Sequence, residues 1–336
     1  MKRRIGVGFA LAAVLLAVLV HVVGGGELLA ELSSADPSVL ALGVLSGLLA
    51  LTFRGAVWVQ LLLLIDEELS RLRIAGLFLT AMFLKYVTPY GQIATEPLVA
   101  YLVSKDETMA YEDGLASVLS ADLSNYVPYY TFGFVALGVL VVGDALGDGL
   151  VDQLVAFGGL FLVLVGAVVL VIYRPSAVYT AVLGLAALVR RLVGRFSSRF
   201  EESLTPDRVR SRLDGFYRTV DTISADKRTL LIAVVCSHLG MAFLMLPVYV
   251  GAVALGYRLP LAVVAVAVAF GKLGSVVPAP GGTGGVEAMV TATLTAIGGL
   301  EPAAALTVAL IYRLCTYWLT VTVGGIAASV LLAGEP

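Results

Sequence analysis

The chain has 336 residues, of which 59% are hydrophobic and 14% are charged, and its formal net charge is −2. An average soluble domain has about a quarter charged residues, so this composition excludes an ordinary soluble domain and favours lipid as the solvent. We expect no nucleic-acid partner, because no basic excess is present. Cys236 and Cys315 lie in apolar segments without ligand spacing, so we also expect neither a metal site nor a cofactor.

Six apolar segments are long enough to span a bilayer, which takes about 20 residues. The first follows Lys2, Arg3 and Arg4 and could begin a signal peptide, but no convincing cleavage site follows it. We interpret it as an uncleaved first helix. The predicted spans are Ile5–Val23, Val39–Ile65, residues 114–142, Leu154–Tyr173, Leu230–Leu255 and Ala303–Ala333.

Two further apolar segments are interrupted in their middle. Ile74–Val103 is broken by Thr88–Gly91 and again by Glu96-Pro97. Leu261–Gly299 is broken by Pro278–Gly285. The pieces hold about 10 to 15 residues, too few to cross separately, and irregular backbone at membrane depth needs cover from protein or a wet cavity. Each segment therefore predicts a re-entrant helical hairpin.

The basic residues concentrate in the loops that this arrangement places in the cytoplasm, as the positive-inside rule requires. Of the 22 Lys and Arg, 17 fall on the cytoplasmic side, one falls outside and four lie at membrane depth. Eleven of them lie in the segment 174–228, which we predict to be a basic cytoplasmic segment. The sequence thus predicts a single multi-pass membrane domain over residues 1–336, in the cell membrane, with both termini in the cytoplasm.

The two interrupted segments align with each other at a constant spacing of 191 residues. At this spacing Pro89–Glu96 aligns with Pro280–Glu287, with proline, glycine and glutamate in register. Asp122–Tyr126 aligns with Arg313–Tyr317, so an acid in the first copy corresponds to a base in the second. The sequence therefore predicts two repeats, residues 38–142 and residues 229–333.

The topology fixes how the two repeats are related. An odd number of full crossings separates them, and one hairpin is predicted to open inward and the other outward. We therefore predict an all-α polytopic fold with an inverted-topology repeat, six full transmembrane spans and two re-entrant helical hairpins. Such repeats characterise secondary transporters, in which discontinuous helices meet near the bilayer midplane.

Seven ionisable residues fall inside the apolar segments. Each costs roughly 2.5–3.5 kcal/mol at a helix centre, so each must pair, face water or reach the interface. One interpretation is structural, with ion pairs between Asp122 and Arg313 or between Glu96 and Lys85. The other is a transport pathway. Because Asp122 and Arg313 are equivalent positions of opposite charge, we predict that they approach each other or share a cavity wall.

The candidate substrate pathway combines these charges with the two turns and the polar helix faces that follow Asp122 and Arg313. The two tyrosines on those faces could equally serve packing. The candidate residues are Arg54, Lys85, Pro89, Gly91, Glu96, Asp122, Asn125, Tyr126, Lys272, Pro280, Gly281, Gly282, Glu287, Arg313 and Tyr317.

Two other features allow alternative interpretations. Helices that restart after Gly91 and Gly285 would present free backbone N–H groups to an anion, although glycines needed for tight turns explain the same residues. In the basic segment, Val209–Ile223 has apolar residues at helical spacing among arginines. It predicts an amphipathic helix that binds anionic lipid, or else an ordinary cytoplasmic loop.

The second turn, Val277–Ala288, resembles a signature of the lysylphosphatidylglycerol synthase transmembrane-region family, also called flippase-like proteins. The signature is P-x-P-G-G-x-G-x-x-E, here Pro278 to Glu287, and a weaker related motif lies at Thr88–Glu96. The resemblance extends from about residue 5 to residue 333. It implies a membrane region that moves an aminoacylated phosphatidylglycerol between leaflets in the best-known members, here as a stand-alone domain without the synthase domain.

The sequence and this resemblance together favour a membrane transporter over an enzyme. Its expected substrate is a membrane lipid, either anionic or aminoacylated or of the polyprenyl-phosphate type. Two alternatives are a secondary transporter of a small water-soluble anion and an intramembrane lipid-modifying enzyme. Against the enzyme, the sequence has no HExxH or GxSxG motif and only two histidines, His21 and His238. A scaffold role is the remaining alternative.

Overall fold

The computed structural model describes residues 37–91, 95–105, 109–143, 151–193 and 205–333, together with positions 17, 18, 21 and 26. These described residues form helices joined by short turns, without a strand among them, which confirms the predicted all-α class. The predicted first span, Ile5–Val23, lies outside the described residues except at the helical positions 17, 18 and 21.

The helices follow one another with short connections. A 3₁₀ turn, Pro280–Gly282, separates α9 from α10, and a π-helical turn, Leu314–Trp318, joins α11 to α12. In chain order the helices are α1 (Pro37–Ile65), α2 (Arg71–Val87), α3 (Glu96–Ser104), α4 (Tyr111–Val142), α5 (Val151–Tyr173), α6 (Pro175–Val193), α7 (Pro206–Ala225), α8 (Lys227–Ala254), α9 (Leu261–Gly274), α10 (Gly285–Ala296), α11 (Pro302–Arg313) and α12 (Leu319–Ala333).

Five helical segments of the described chain are long and apolar enough to cross a bilayer, and they correspond to the second to sixth predicted spans. Their outer surfaces are apolar as well. Val155, Leu162 and Val163 of α5 are 67–70% exposed, which suits a helix surrounded by lipid. The segments are Pro37–Ile65, Tyr111–Val142, Leu154–Tyr173, Lys227–Ala254 and Pro302–Leu331.

The two interrupted segments each form a pair of short helices. The first pair, α2 and α3, has 17 and 9 residues, and the second pair, α9 and α10, has 14 and 12 residues. The breaks fall at the proline and glycine residues that predicted them, because proline lacks the N–H of the helical ladder. Left-handed backbone occurs at Gly281, Gly282 and Gly284 in the second break, whereas in the described part of the first break the left-handed residue is Tyr90. The side from which each pair enters the membrane stays a prediction.

The helix bounds and the packing partners both recur between the two halves. Tyr111–Val142 and Pro302–Ala333, the long segments that close each half, are separated by the predicted spacing of 191 residues. The most extensive packing between the described helices is that of α1 on α8. Around this pair, α2 packs on α12 while α9 packs on α4, and α3 packs on α4 while α10 packs on α11. Each half therefore packs its interrupted helix against the long segment of the other half.

The described part of the basic segment 174–228 contains the helices α6 and α7 and the first residues of α8. The predicted amphipathic helix is confirmed as α7, and its arginines Arg210, Arg212 and Arg218 are exposed. Its apolar side packs partly on the protein itself, because Val209 and Ile223 are buried and α7 contacts α4. Sequence reasoning missed α6, which packs on α7. Binding of α7 to anionic lipid stays a prediction.

Close helix packing at the centre depends on small residues of α1. A Cβ atom added at Gly47 would lie 2.0 Å from the carbonyl oxygen of Cys315, in the π-helical turn of the other half. Real Cβ atoms do not approach a backbone oxygen so closely, so α1 and this turn would have to separate.

We predict that Gly47→Ala lowers the free energy of unfolding by about 1–3 kcal/mol, because the added methyl group overpacks this contact. Thermal unfolding of the purified protein in detergent measures the change. The matched control is Gly158→Ala in α5, where an added Cβ meets no atom within 4 Å. The control should be neutral or stabilising by up to about 1 kcal/mol, since alanine favours a helix over glycine. Equal effects of the two substitutions would contradict the packing described.

Candidate functional site

The break in the first half holds a buried charge cluster around Lys85. Lys85 lies in the last turn of α2 and Glu96 in the first turn of α3, where helix dipoles favour a cation and an anion respectively. The Nζ atom of Lys85 lies 2.8 Å from Oε1 of Glu96 and also binds Oδ2 of Asp122 on α4. Trp58 donates its indole N–H to Oδ1 of Asp122 at 3.1 Å. Lys85 is 2% exposed, so its ammonium group is shielded from bulk water.

The break in the second half holds a corresponding cluster around Arg313. The Nε atom of Arg313 donates to Oε1 of Glu287 at 2.8 Å. Its Nη2 atom donates to the carbonyl of Gly281 at 2.9 Å and to the hydroxyl of Thr283 at 3.2 Å. Arg313 thereby ties the end of α11 to the glycine-rich turn and to the start of α10.

The predicted pairing of Asp122 with Arg313 is wrong. Asp122 binds Lys85, and Arg313 binds Glu287, so each charge finds its partner within its own half. The two residues also line different cavities. The physical reason is local, because the glutamate that begins each short helix lies next to a cation brought by its own half. The alternative pairing of Glu96 with Lys85 is confirmed.

Anion binding at the start of α10 stays a prediction, and one N–H group there is already occupied by a carboxylate of the chain itself. The Gly284 N–H donates to Oε2 of Glu287 at 2.6 Å, so the first turn of α10 is capped by its own carboxylate. In the first half, α3 begins at Glu96, and residues 92–94 lie outside the described chain.

The turn glycines serve close packing. Gly281 has φ +58° and an added Cβ would lie 2.1 Å from the ring of Tyr317. A Cβ at Gly91 would lie 2.1 Å from the carbonyl oxygen of Lys85. The prolines Pro89 and Pro280 and the glycine Gly282 belong to these same turns. The interpretation of these residues as tight-turn formers therefore accounts for what the structure shows.

Two cations between the clusters have no carboxylate partner among the described residues. The Nζ atom of Lys272 lies 4.3 Å from the ring centroid of Tyr126 and 5.7 Å from that of Tyr129. Arg54 lies near the hydroxyl groups of Tyr86 and Tyr129, and within the described chain its buried Nε atom has no hydrogen-bond partner. Cation–π contact contributes roughly 2 kcal/mol in a desolvated site, less than the roughly 4 kcal/mol of a counter-ion about 4 Å away.

The position of Lys272 explains why it is unpaired. At the repeat spacing of 191 it corresponds to Ala81, one helical turn before Lys85, although each lysine lies in the last turn of its own helix. The nearest equivalent carboxylate, Glu287, is already occupied by Arg313. Lys272 therefore remains available to an anion.

Tyrosines at equivalent positions contact cations in both halves. Tyr126 faces Lys272, and the ring centroid of Tyr317 lies 4.1 Å from Cζ of Arg313. Asn125, one residue before Tyr126, donates its amide to the carbonyl of Arg54 at 3.2 Å. The polar helix faces predicted from Asp122 and Arg313 therefore face the protein interior, as expected for a membrane helix.

A small polar cavity lies where α2, α4, α9 and α11 meet. It offers about 50 Å³ to the centres of water molecules, which is room for a few waters. Predicted residues on its wall are Lys272, Gly281 and Arg313. Sequence reasoning missed its other polar wall residues, because an aromatic or hydroxyl side chain in an apolar run gives no periodic signal: Tyr86, Tyr129, Ser275 and Tyr312.

An apolar groove of about 360 Å³ lies between α4, α5 and α7. Its walls include Leu164 and Val168 of α5 and Phe216 of α7, and its polar end is formed by Glu96 and Asp122. The groove thus connects the lipid-facing surface of α5 with the first charge cluster.

The five long apolar helices define the class of this protein as a multi-pass integral membrane protein. The chain belongs to the family described as the lysylphosphatidylglycerol synthase TM region, whose profile matches residues 5–324. It is similar to two proteins of Methanothermobacter thermautotrophicus, each named UPF0104 membrane protein. One is 24% identical over 98% of this chain and 95% of the relative, and the other is 25% identical over 97% and 93%.

We predict that Arg313→Lys destabilises the protein by about 1–3 kcal/mol, because lysine cannot donate to Glu287, Gly281 and Thr283 together and leaves buried acceptors unsatisfied. Thermal unfolding in detergent measures the loss. The matched control is Arg258→Lys, since Arg258 is exposed in the loop before α9. An Arg313→Lys variant as stable as the control would contradict the tie described here.

Proposed function

We propose that the protein is a lipid transporter that moves a lipid with an anionic head group between the two leaflets of the cell membrane. The lipid class includes anionic and aminoacylated phospholipids and polyprenyl-phosphate-type lipids. The observation that carries the proposal is Lys272, a cation on the wall of an interior polar cavity with no carboxylate partner among the described residues. A buried cation without a counter-ion is costly, and a phosphate group would supply the missing charge.

The arrangement of the two halves supports transport. The reciprocal packing of α2 on α12 and α9 on α4 joins two similar units around a polar cavity. We propose that these units are inverted-topology repeats, that α2–α3 and α9–α10 are re-entrant hairpins, and that both termini are cytoplasmic. In such folds the substrate site lies at the repeat interface, and rocking of one repeat against the other exposes it to alternate sides.

The cavity is smaller than a binding site for a lipid head group would be. Sites for small molecules take about 300–1,000 Å³, well above the 50 Å³ of the cavity. The cavity as it stands is too small for a head group, and in this proposal the head group enters when the two halves move apart.

The groove favours a lipid over a water-soluble anion. Its apolar walls suit acyl or isoprenoid chains, and one of these walls belongs to the lipid-facing helix α5. A carrier for a soluble anion has no need of such an apolar groove. The head group would lie among polar residues while its tails remain in the bilayer. In this proposal the lipid is moved without chemical change, so the protein is not an enzyme.

We predict that liposomes containing the purified protein exchange labelled lipid between leaflets faster than protein-free liposomes do. The panel comprises a phosphatidylglycerol, an aminoacylated phosphatidylglycerol, a polyprenyl phosphate and phosphatidylcholine as the neutral-charge comparison. Lys272→Met should slow exchange of the preferred lipid by about 10-fold to 100-fold, the equivalent of one lost hydrogen bond to a charged group.

The matched control for Lys272→Met is Arg258→Met, which removes one positive charge from an exposed loop position. It should leave the exchange rate unchanged. Mass spectrometry of the recovered lipid should show the starting compound. Absence of exchange for every lipid, or equal rates for Lys272→Met and wild type, would overturn the proposal, and uptake of a soluble anion instead would favour the second class of transporter.

A further inference from the structure

The equivalent glutamates of the two halves differ in how their oxygens are satisfied. Both oxygens of Glu287 have partners, Oε1 in Arg313 and Oε2 in the N–H of Gly284. Glu96 binds Lys85 through Oε1, while its Oε2 is buried and has no hydrogen-bond partner in the described part of the chain. The two positions are therefore equivalent in the repeat but not in their chemistry.

The first cluster also differs from the second in its charge balance. Lys85 faces two carboxylates, Glu96 and Asp122, so the cluster has an excess of one negative charge when both are ionised. Asp122 is bound through both oxygens, by Lys85 and by Trp58. The unsatisfied part of the cluster is therefore Oε2 of Glu96. Protonation of that oxygen makes it a hydrogen-bond donor and brings the cluster to neutrality.

We propose that Glu96 binds the proton that couples lipid transport to a pH gradient, an inference that rests on the transport function proposed above. A hydronium ion on one side of the membrane transfers its proton to Oε2 of Glu96, leaving water. When the two halves change conformation, the O–H bond breaks and the proton returns to water on the other side. No electron transfer or further reactant is needed.

The charged and polar groups that surround Glu96 already have partners of their own, which leaves Glu96 as the group that binds the proton. Lys85 faces it from α2 and Asp122 from α4, while α1 contributes Trp58 to Asp122. The nearest further cation on α9, Lys272, lies against Tyr126. Apolar residues form the wall of the groove contributed by α5 and α7.

The position of Glu96 gives the proton a route. Its side chain is 12% exposed and, with that of Asp122, forms the polar end of the groove. The counterpart Glu287 is 3% exposed and is held on both oxygens. One glutamate of the pair thus borders the groove and has an unsatisfied oxygen, while the other is held on both oxygens.

Infrared titration of the purified protein in nanodiscs tests proton binding without any lipid substrate. We expect a carboxylic-acid C=O band that titrates separately from the exposed carboxylates. It should be lost in Glu96→Gln, which keeps the Lys85–Asp122 pair, and kept in Glu301→Gln, an exposed control. If Glu96→Gln fails to fold, Asp122→Asn replaces it. That substitution should shift the band, because Glu96 becomes the sole carboxylate bound to Lys85.

The coupling itself is measured by the leaflet distribution of labelled lipid in proteoliposomes under a pH difference. One proton per lipid changes the steady-state ratio by about tenfold per pH unit. Wild type and Glu301→Gln should approach this ratio, whereas Glu96→Gln should show equal distribution at any gradient. Exchange without a response to pH, or a titrating band that persists in Glu96→Gln, overturns the proton site and leaves lipid transport intact. Absence of exchange overturns the transport function, while the infrared result still decides proton binding.

Discussion

The burial of charge where water cannot solvate it is the constraint on which the rest of this structure depends. Lys85 and Arg313 are 2% and 7% exposed, so each would be strongly destabilising without carboxylate partners. Both find them at a helix break, where a short helix has a glutamate in its first turn. The breaks, the close-packed glycines beside them and the long helices that carry Asp122 and Arg313 all bring these opposite charges together.

The same constraint makes the unpaired groups informative. Replacing a buried ion pair by apolar residues is often neutral or stabilising, so pairing alone is a weak reason to keep charge in a membrane. Lys272 and Oε2 of Glu96 are not accounted for by pairing at all within the described residues. Lys272 presents a positive charge to the polar cavity, and Oε2 of Glu96 presents a hydrogen-bond acceptor beside the apolar groove. In the Arg313–Glu287 pair both carboxylate oxygens have partners, whereas among the described residues Lys272 lacks a carboxylate partner and Oε2 of Glu96 lacks a hydrogen-bond partner. This difference supports the proposed roles in substrate binding and proton binding over a role in stability.

The fold was predictable where its signals are local. Apolar length gave the spans, and proline and glycine gave the helix breaks, because each acts on its own stretch of backbone. The spacing of 191 residues matched recurring helix bounds because equivalent elements have equal lengths. Ion pairing was less predictable, since it depends on side-chain positions in three dimensions. Asp122 and Arg313 are equivalent in sequence, yet the partner of each lies within its own half.

The charged residues of the site could be predicted from the sequence, but the aromatic residues on the cavity wall could not. Trp58 binds Asp122, and Tyr86 and Tyr312 line the cavity, but within apolar runs these residues look like packing. The repeat offered one usable signal, because Tyr126 and Tyr317 recur at the same spacing and each contacts a cation. The displacement of Lys272 by one helical turn relative to Lys85 was also readable from the sequence once the repeat was aligned.

The central claim is that the interior cations hold the head group of an anionic lipid. Native mass spectrometry of the protein released from nanodiscs with equal amounts of phosphatidylglycerol and phosphatidylcholine tests it most directly. We expect wild type to retain phosphatidylglycerol in preference, Lys272→Met to lose this preference and Arg258→Met to keep it. Equal retention of the two lipids by wild type, or a preference unchanged in Lys272→Met, would show that the interior cations do not hold the head group.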